Sequence, residues 1–204
     1  ILMKRTIFKG IGTALVTPMT ENGPDYAAME RLLEIQLQGG VDALIVCATT
    51  GEAPTLTDEE HIDMIKFVAE YVKGRIPVIA GPGPNYPDHA VDMSIMARDV
   101  GADGLLCVTP YYNKCTQEGL VASFTKIADA TELPMIVYNV PSRTGVTIKP
   151  DTYVKLAEHP NIVGIKEAGG DISAVVETMS KCGDNINMYS GNDDQIVPIM
   201  SMGG

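Results

Sequence analysis

The sequence predicts an α/β protein of the (β/α)8 TIM-barrel class, and three observations predict it. One pattern recurs along all 204 residues: an apolar strand, a loop holding Gly, Thr, Pro or Tyr, then an amphipathic helix. The strand candidates begin near Thr13 (TALVT), Asp42 (DALIV), Pro77 (PVIAG), Asp103 (DGLLCV), Pro134 (PMIVYN), Ile162 (IVGIK) and Ile186 (INMYS), 24 to 35 residues apart. That is the length of one βα unit, and the runs are almost continuously apolar, as in a parallel sheet buried on both faces. An open dinucleotide-binding sheet is disfavoured, because the turn after the first strand, TPMTENGPD, has no GxGxxG. The G-x-G at Gly81-Pro82-Gly83 follows the third strand and carries a proline that removes an amide donor. Seven strands are counted where a barrel has eight. Seven would leave two unpaired edges, so the expectation is one barrel domain over residues 1–204, incomplete at its C-terminus.

The helices are marked at their ends. Asp25 caps a helix whose apolar positions Tyr26, Met29, Leu33 and Leu37 follow helical spacing, and Gly39-Gly40 stops it. Thr57 with Glu60 forms a capping box ahead of the stripe Ile62, Ile65, Ala69 and Val72. Thr116 opens a helix carrying Leu120, Phe124 and Ile127, and Pro150-Asp151 opens one ending near Glu158. These stripes are read as core packing. No linker, charge block or low-complexity segment divides the chain.

Composition narrows the function. Hydrophobic residues make up 45% and charged residues 20%, a globular balance, and the net charge of −11 repels nucleic-acid phosphates. The four cysteines show no CxxC pairing and no histidine at metal-ligand spacing, so neither a disulfide nor a metal site is expected and a reducing cytoplasm fits. The opening ILMKRTIFKG is too short in its apolar part for a signal peptide, Ile1 and Leu2 before Met3 carry no argument, and no apolar run reaches membrane-spanning length. His61, His89 and His159 fall on helices or loop ends and read as structural or solvated.

Barrel chemistry sits where strands end. The second strand ends in Ala48-Thr49-Thr50-Gly51-Glu52, two hydroxyls and a glycine amide that make either a carboxylate cradle or a plain Thr-Gly turn. The fourth ends in Thr109-Pro110-Tyr111-Tyr112-Asn113, whose tyrosines relay protons, wall a pocket or pack at an interface. The fifth ends in Tyr138-Asn139-Val140-Pro141-Ser142-Arg143, a phenol at the mouth and a cation suited to a carboxylate. The seventh ends in Ser190-Gly191-Asn192-Asp193-Asp194, a substrate contact or simply a helix start.

The sixth strand, in IVGIKEAGGD, ends in Lys166. Alternation puts Ile162, Gly164 and Lys166 on one face and Val163 and Ile165 on the other, with Gly164 leaving room beside the lysine. An amine desolvated there has a lowered pKa and can condense with a ketone to a Schiff base. The alternative is a strand-end lysine reaching out to water. A lysine, a phenol, two threonines and an arginine on one rim, with no metal set, favour imine chemistry on a keto acid over hydrolysis.

Taken in order, TALVTPM, TTGEAPTLTDEEH, GRIPVIAG, VTPYYNKCTQEGL, YNVPSRTG, GIKEA and SGNDD resemble the 4-hydroxy-tetrahydrodipicolinate synthase (dihydrodipicolinate synthase) family of pyruvate-dependent class I lyases, along essentially the whole chain. The resemblance implies that pyruvate and L-aspartate 4-semialdehyde are the substrates, with Lys166 forming the imine, Tyr138 shuttling protons, and no cofactor beyond the covalent imine. It implies that Thr49 links Tyr138 to Tyr112, which reaches into a neighbouring subunit of a homotetramer. Thr50 would hold the pyruvate carboxylate, Arg143 the carboxylate of the semialdehyde, and Gly191 would contact substrate. It also implies a C-terminal helical region that is absent from this sequence. Two departures stand out: Ala48 replaces the glycine usual before TTGE, and Gly81-Pro82-Gly83-Pro84-Asn85 replaces a Gly-Thr-Gly-Ala-Asn-like loop near the feedback-lysine site of many members. The alternatives are another pyruvate-dependent aldolase, of N-acetylneuraminate or keto-sugar-acid type, and a non-catalytic barrel fragment; the arginine of YNVPSRTG separates the chain from N-acetylneuraminate lyases.

Overall fold

The structure, a computed structural model, describes residues 5–204; the first four residues, within the stretch read above as too short for a signal peptide, lie outside the described residues. All seven expected strands are present. They are β1 (Gly12–Ala14), β4 (Ala43–Val46), β5 (Val78–Ala80), β6 (Gly104–Val108), β7 (Met135–Asn139), β8 (Ile162–Glu167) and β9 (Asn187–Ser190), following one another in chain order. The pairings β1 with β4, β4 with β5, β5 with β6, β7 with β8 and β8 with β9 are parallel. Sequential parallel strands joined by helices are the topology of the (β/α) barrel class. The chain divides into two compact units, with β6 spanning the division.

The first unit, residues 7–84 and 88–106, holds β1, β4 and β5 with helices α1 (Tyr26–Gly39), α2 (Asp58–Val72) and most of α3 (Pro87–Asp99). The caps are those expected. The Asp25 side chain accepts from the Ala28 amide, and Gly40 ends α1 in the left-handed conformation. Thr57 and Glu60 form the complete capping box on α2, a device worth about 1 kcal/mol. The TPMTENGPD segment, where the sequence predicts only a turn, holds a small hairpin: β2 (Met19–Thr20) pairs antiparallel with β3 (Gly23–Pro24). Thr20 Oγ1 drives it by donating to the Gly23 carbonyl and accepting from the Asn22 amide.

The second unit takes in residues 107–204, with β7, β8 and β9 and the helices α4 (Gln117–Thr131), α5 (Pro141–Thr144), α6 (Pro150–Ala157), α7 (Ile172–Cys182) and α8 (Ile196–Ser201). Every residue of β7 is buried, and β8 is buried except at Lys166, which is half-buried. Full burial of each Val, Ile or Met side chain contributes about 1.5–3 kcal/mol, so this pair of strands is a rigid base for whatever projects from its ends. None of the four cysteines is in a disulfide. Burial pushes Cys47 up to about 12, and it raises Cys107 as well, so both behave as small apolar side chains.

Candidate active site

Register places the two central residues side by side. Tyr138 on β7 pairs with Lys166 on β8, and Lys166 pairs in turn with Tyr189 on β9. The Lys166 Nζ lies 4.5 Å from the Tyr138 ring centroid. Among the described residues no hydrogen bond or ion pair engages that nitrogen. Burial lowers the Lys166 pKa because the ammonium loses hydration. The ring face favours the cation by about 0.5–2 kcal/mol, which acts against the shift. Burial raises the Tyr138 phenol, while the positive charge of Arg143 pulls it back down.

Two glycines shape the space around the amine. A Cβ on Gly191 would stand 3.2 Å from Lys166 Cε and 2.9 Å from the Ala168 Cβ, so only glycine lets the lysine stem lie there. The Gly191 amide donates to the Glu167 carbonyl at 2.7 Å, fixing this close approach. The space expected beside Gly164 is filled: a Cβ there would lie 3.1 Å from both Ile136 Cγ1 and Tyr189 Cε2. Tyr189, not singled out from sequence, therefore lies against the lysine's own face of β8.

Arg143 sits exposed on α5, one short turn started by Pro141 and closed by Gly145 in the left-handed conformation. Tyr112, in the turn after β6, is 86% exposed with a φ of 74°, a strained value for a non-glycine residue. Among the described residues no hydrogen bond or ring contact ties it to Lys166 or Tyr138. The Ser190 hydroxyl donates to the Asn192 carbonyl, and Asn192 leads into a short helical turn at Asp193–Gln195 that continues as α8.

The Thr49 and Thr50 hydroxyls belong to the first unit. Thr49 is half-buried and Thr50 exposed, in a turn after β4 in which Cys47 adopts a φ of 51°. The buried Thr17 hydroxyl donates to the Gly51 carbonyl at 2.7 Å and anchors the turn. A Cβ on Gly51 would meet the Cys47 Cα at 3.0 Å, so the chain folds tightly onto itself here. The Gly81 carbonyl accepts from His61 Nε2 at 2.8 Å, which assigns the proton to that nitrogen, and burial lowers the His61 pKa. His89 and His159 lie against Asp58 and Asp129 respectively. Among the described residues no group of His, Cys, Asp and Glu could hold a metal ion.

One cluster carried no sequence signal as a group. The Glu167 carboxylate, 7% exposed, accepts from Asn139 Nδ2 at 2.8 Å, the Tyr153 hydroxyl at 2.8 Å and the Gly169 amide at 2.6 Å. Burial raises its pKa, and these donors oppose that rise.

A sequence profile of the Dihydrodipicolinate synthetase family matches residues 7–204. A 4-hydroxy-tetrahydrodipicolinate synthase from Thermoanaerobacter sp. (strain X514) is 54% identical over 199 residues, covering 97% of this chain and 67% of the relative. The chain thus spans about two thirds of that protein's length. Among solved structures, a chloride-inhibited dihydrodipicolinate synthase from Acinetobacter baumannii in complex with pyruvate superposes with a TM-score of 0.94 at 45% identity, covering 98% of this chain and 68% of that one. A monomeric dihydrodipicolinate synthase variant superposes with a TM-score of 0.94 at 43% identity, covering 97% and 67%. On a profile match across nearly all its residues and on these likenesses, the chain belongs to the dihydrodipicolinate synthetase family.

Proposed function

We propose that this chain is a class I lyase that condenses pyruvate with L-aspartate 4-semialdehyde to 4-hydroxy-tetrahydrodipicolinate, in lysine and diaminopimelate biosynthesis. The observation that carries the reading is the partly desolvated Lys166 amine 4.5 Å from the Tyr138 ring centroid. The similar synthase from Acinetobacter baumannii is described in complex with pyruvate, which supports the same first substrate here.

The chemistry follows from the groups. The neutral Lys166 amine adds to the pyruvate carbonyl, and loss of water with uptake of one proton gives an iminium. The iminium acidifies the adjacent methyl, and Tyr138 takes its proton to leave an enamine. The enamine carbon attacks the aldehyde, forming the carbon–carbon bond while the alkoxide takes up a proton. Water then hydrolyses the imine and frees Lys166, and the product amine closes on the ketone with loss of a water to give the cyclic imine. A phenol titrates near ~10, so Tyr138 needs a relay, assigned to Thr49 and Tyr112, and the nearby positive charge of Arg143. Thr50 holds the pyruvate carboxylate, Arg143 that of the aldehyde, and Gly191 the close approach to the lysine stem. No cofactor takes part.

A homo-oligomer, a tetramer by family resemblance, fits the exposure of Tyr112, and one similar structure is of a monomeric variant. No helix among the described residues is long and apolar enough to cross a membrane, and a cytoplasmic location is the reading that fits four cysteines outside any disulfide. Borohydride reduction in the presence of pyruvate, followed by peptide mass mapping, tests the reading. A reduced adduct on Lys166 supports it, and its absence on folded protein overturns it. A coupled assay then compares aspartate semialdehyde with keto-sugar acids, and preferential turnover of a sugar acid would reassign the substrate.

A further inference from the structure

We propose that Glu167 is a positioning residue, whose side-chain acceptors hold the Lys166–Tyr138 pair and one end of the Arg143 loop in place; this rests on the reading of Lys166 as the imine-forming amine. Register gives the first argument. Asn139 pairs with Glu167 one step beyond the Tyr138–Lys166 pair. Strand alternation turns Asn139 and Glu167 to the face opposite the phenol and amine, where α6 supplies Tyr153. Glu167 therefore reaches the chemistry only through the backbone that it fixes.

The bonding pattern is directional. Glu167 Oε1 accepts from Asn139 Nδ2 and the Gly169 amide, and Oε2 accepts from the Tyr153 hydroxyl. Tyr153 is 2% exposed, and its pKa is raised by burial and by the carboxylate, so it stays a donor. Asn139 turns its other atom, Oδ1, to the Ile148 amide at 3.0 Å. One carboxylate thus ties the end of β8 to the end of β7, to helix α6 and to the far end of the loop that carries Arg143. Gly169 supplies an independent mark: a Cβ there would lie 2.6 Å from Glu167 Oε1 and 3.2 Å from Asn139 Nδ2. The turn after the strand leaves room for this carboxylate and for no side chain.

Two substitutions separate geometry from charge. Glu167→Gln keeps the chain length and one oxygen for Asn139 and Gly169 but removes the charge. Glu167→Asp keeps the charge but withdraws the acceptors by one methylene. Competitive acetylation of Lys166 across the neutral-to-alkaline range, on the full chain and without pyruvate, reads both the reactivity of the amine and its titration midpoint. The groups beside the amine, the Tyr138 ring and Tyr189 on β9, are the same in all variants.

If Glu167 positions, the Asp variant raises the Lys166 midpoint toward the ordinary lysine value and slows pyruvate-dependent trapping roughly 10-fold to 100-fold, with half-saturation by pyruvate little changed. The Gln variant keeps the acceptor for Asn139 and Gly169 and loses only the one for Tyr153, so it falls between the parent and the Asp variant in both. An Asp variant indistinguishable from the parent, or a Gln variant impaired while Asp is normal, overturns the proposal. Absence of a pyruvate adduct on the unsubstituted chain would instead defeat the imine reading, while the acetylation comparison still judges the role of Glu167.

Discussion

The Nζ of Lys166 faces the ring of Tyr138 across a β7–β8 pair whose Cα atoms are in direct register. Neighbouring parallel strands hold the two side chains adjacent, so their spacing depends on sheet hydrogen bonds and not on a flexible loop. The groups that act on this pair from outside it, above all Arg143, lie on the less rigid connections.

The depressed Lys166 pKa sets the pH dependence. Its neutral fraction grows as pH rises through the folded value, so the pyruvate trapping rate should climb and level off below the ordinary lysine range. Stability carries the opposite burden. Between the folded and unfolded pKa values the unfolded chain binds more protons, so stability rises with pH there, and below the folded value the burial penalty is fully present. Lys166→Met should therefore raise the melting temperature at neutral pH, with the gain shrinking as pH climbs; thermal scans over a pH series check this.

Tyr138→Phe keeps the ring beside the amine and removes only the hydroxyl. Borohydride should still trap pyruvate on Lys166, while condensation with the aldehyde falls roughly 10²–10⁴-fold. Parallel trapping and turnover assays expose the split; equal loss in both would deny the phenol a proton-transfer role.

Gly191→Ala inserts a carbon 3.2 Å from Lys166 Cε and 3.1 Å from the Glu167 carbonyl oxygen. Overpacking of this kind costs about 1–3 kcal/mol, and the lysine stem is the movable neighbour. Urea unfolding should show the loss, and adduct formation should slow beyond what stability explains.

Thr17→Val is nearly isosteric and deletes the donor to the Gly51 carbonyl. The expected cost is about 1–3 kcal/mol for the buried acceptor left unpaired. If the Thr49–Thr50 turn binds pyruvate, half-saturation should rise, and Thr17→Ser should restore it.

Much of this was legible in the sequence because local signals agreed. Seven apolar runs at βα spacing became seven strands, and Asp25, Thr57 and Thr116 each cap a helix with a side-chain bond. The hairpin at residues 19–24 was missed because two-residue strands carry no periodic pattern. Cys47 gave no warning of its left-handed backbone, since cysteine has no preference for that region; the tight turn through Gly51 imposes it. The Glu167 cluster was hidden for a different reason. Its donors come from β7, α6 and the following turn, and Tyr153 reads in sequence as one more apolar position on a helix.

The segment leaving β7 for α6 is tethered at its far end by two side chains. The Ile148 amide bonds Asn139 Oδ1, and the Lys149 amide bonds Gln117 Oε1, each at 3.0 Å, although neither residue belongs to a helix or strand. In heavy water both hydrogens should persist far longer than their position on a connecting loop suggests, because each is released only when a side chain from another element lets go. Their joint loss would time how often the arm bearing the guanidinium swings free.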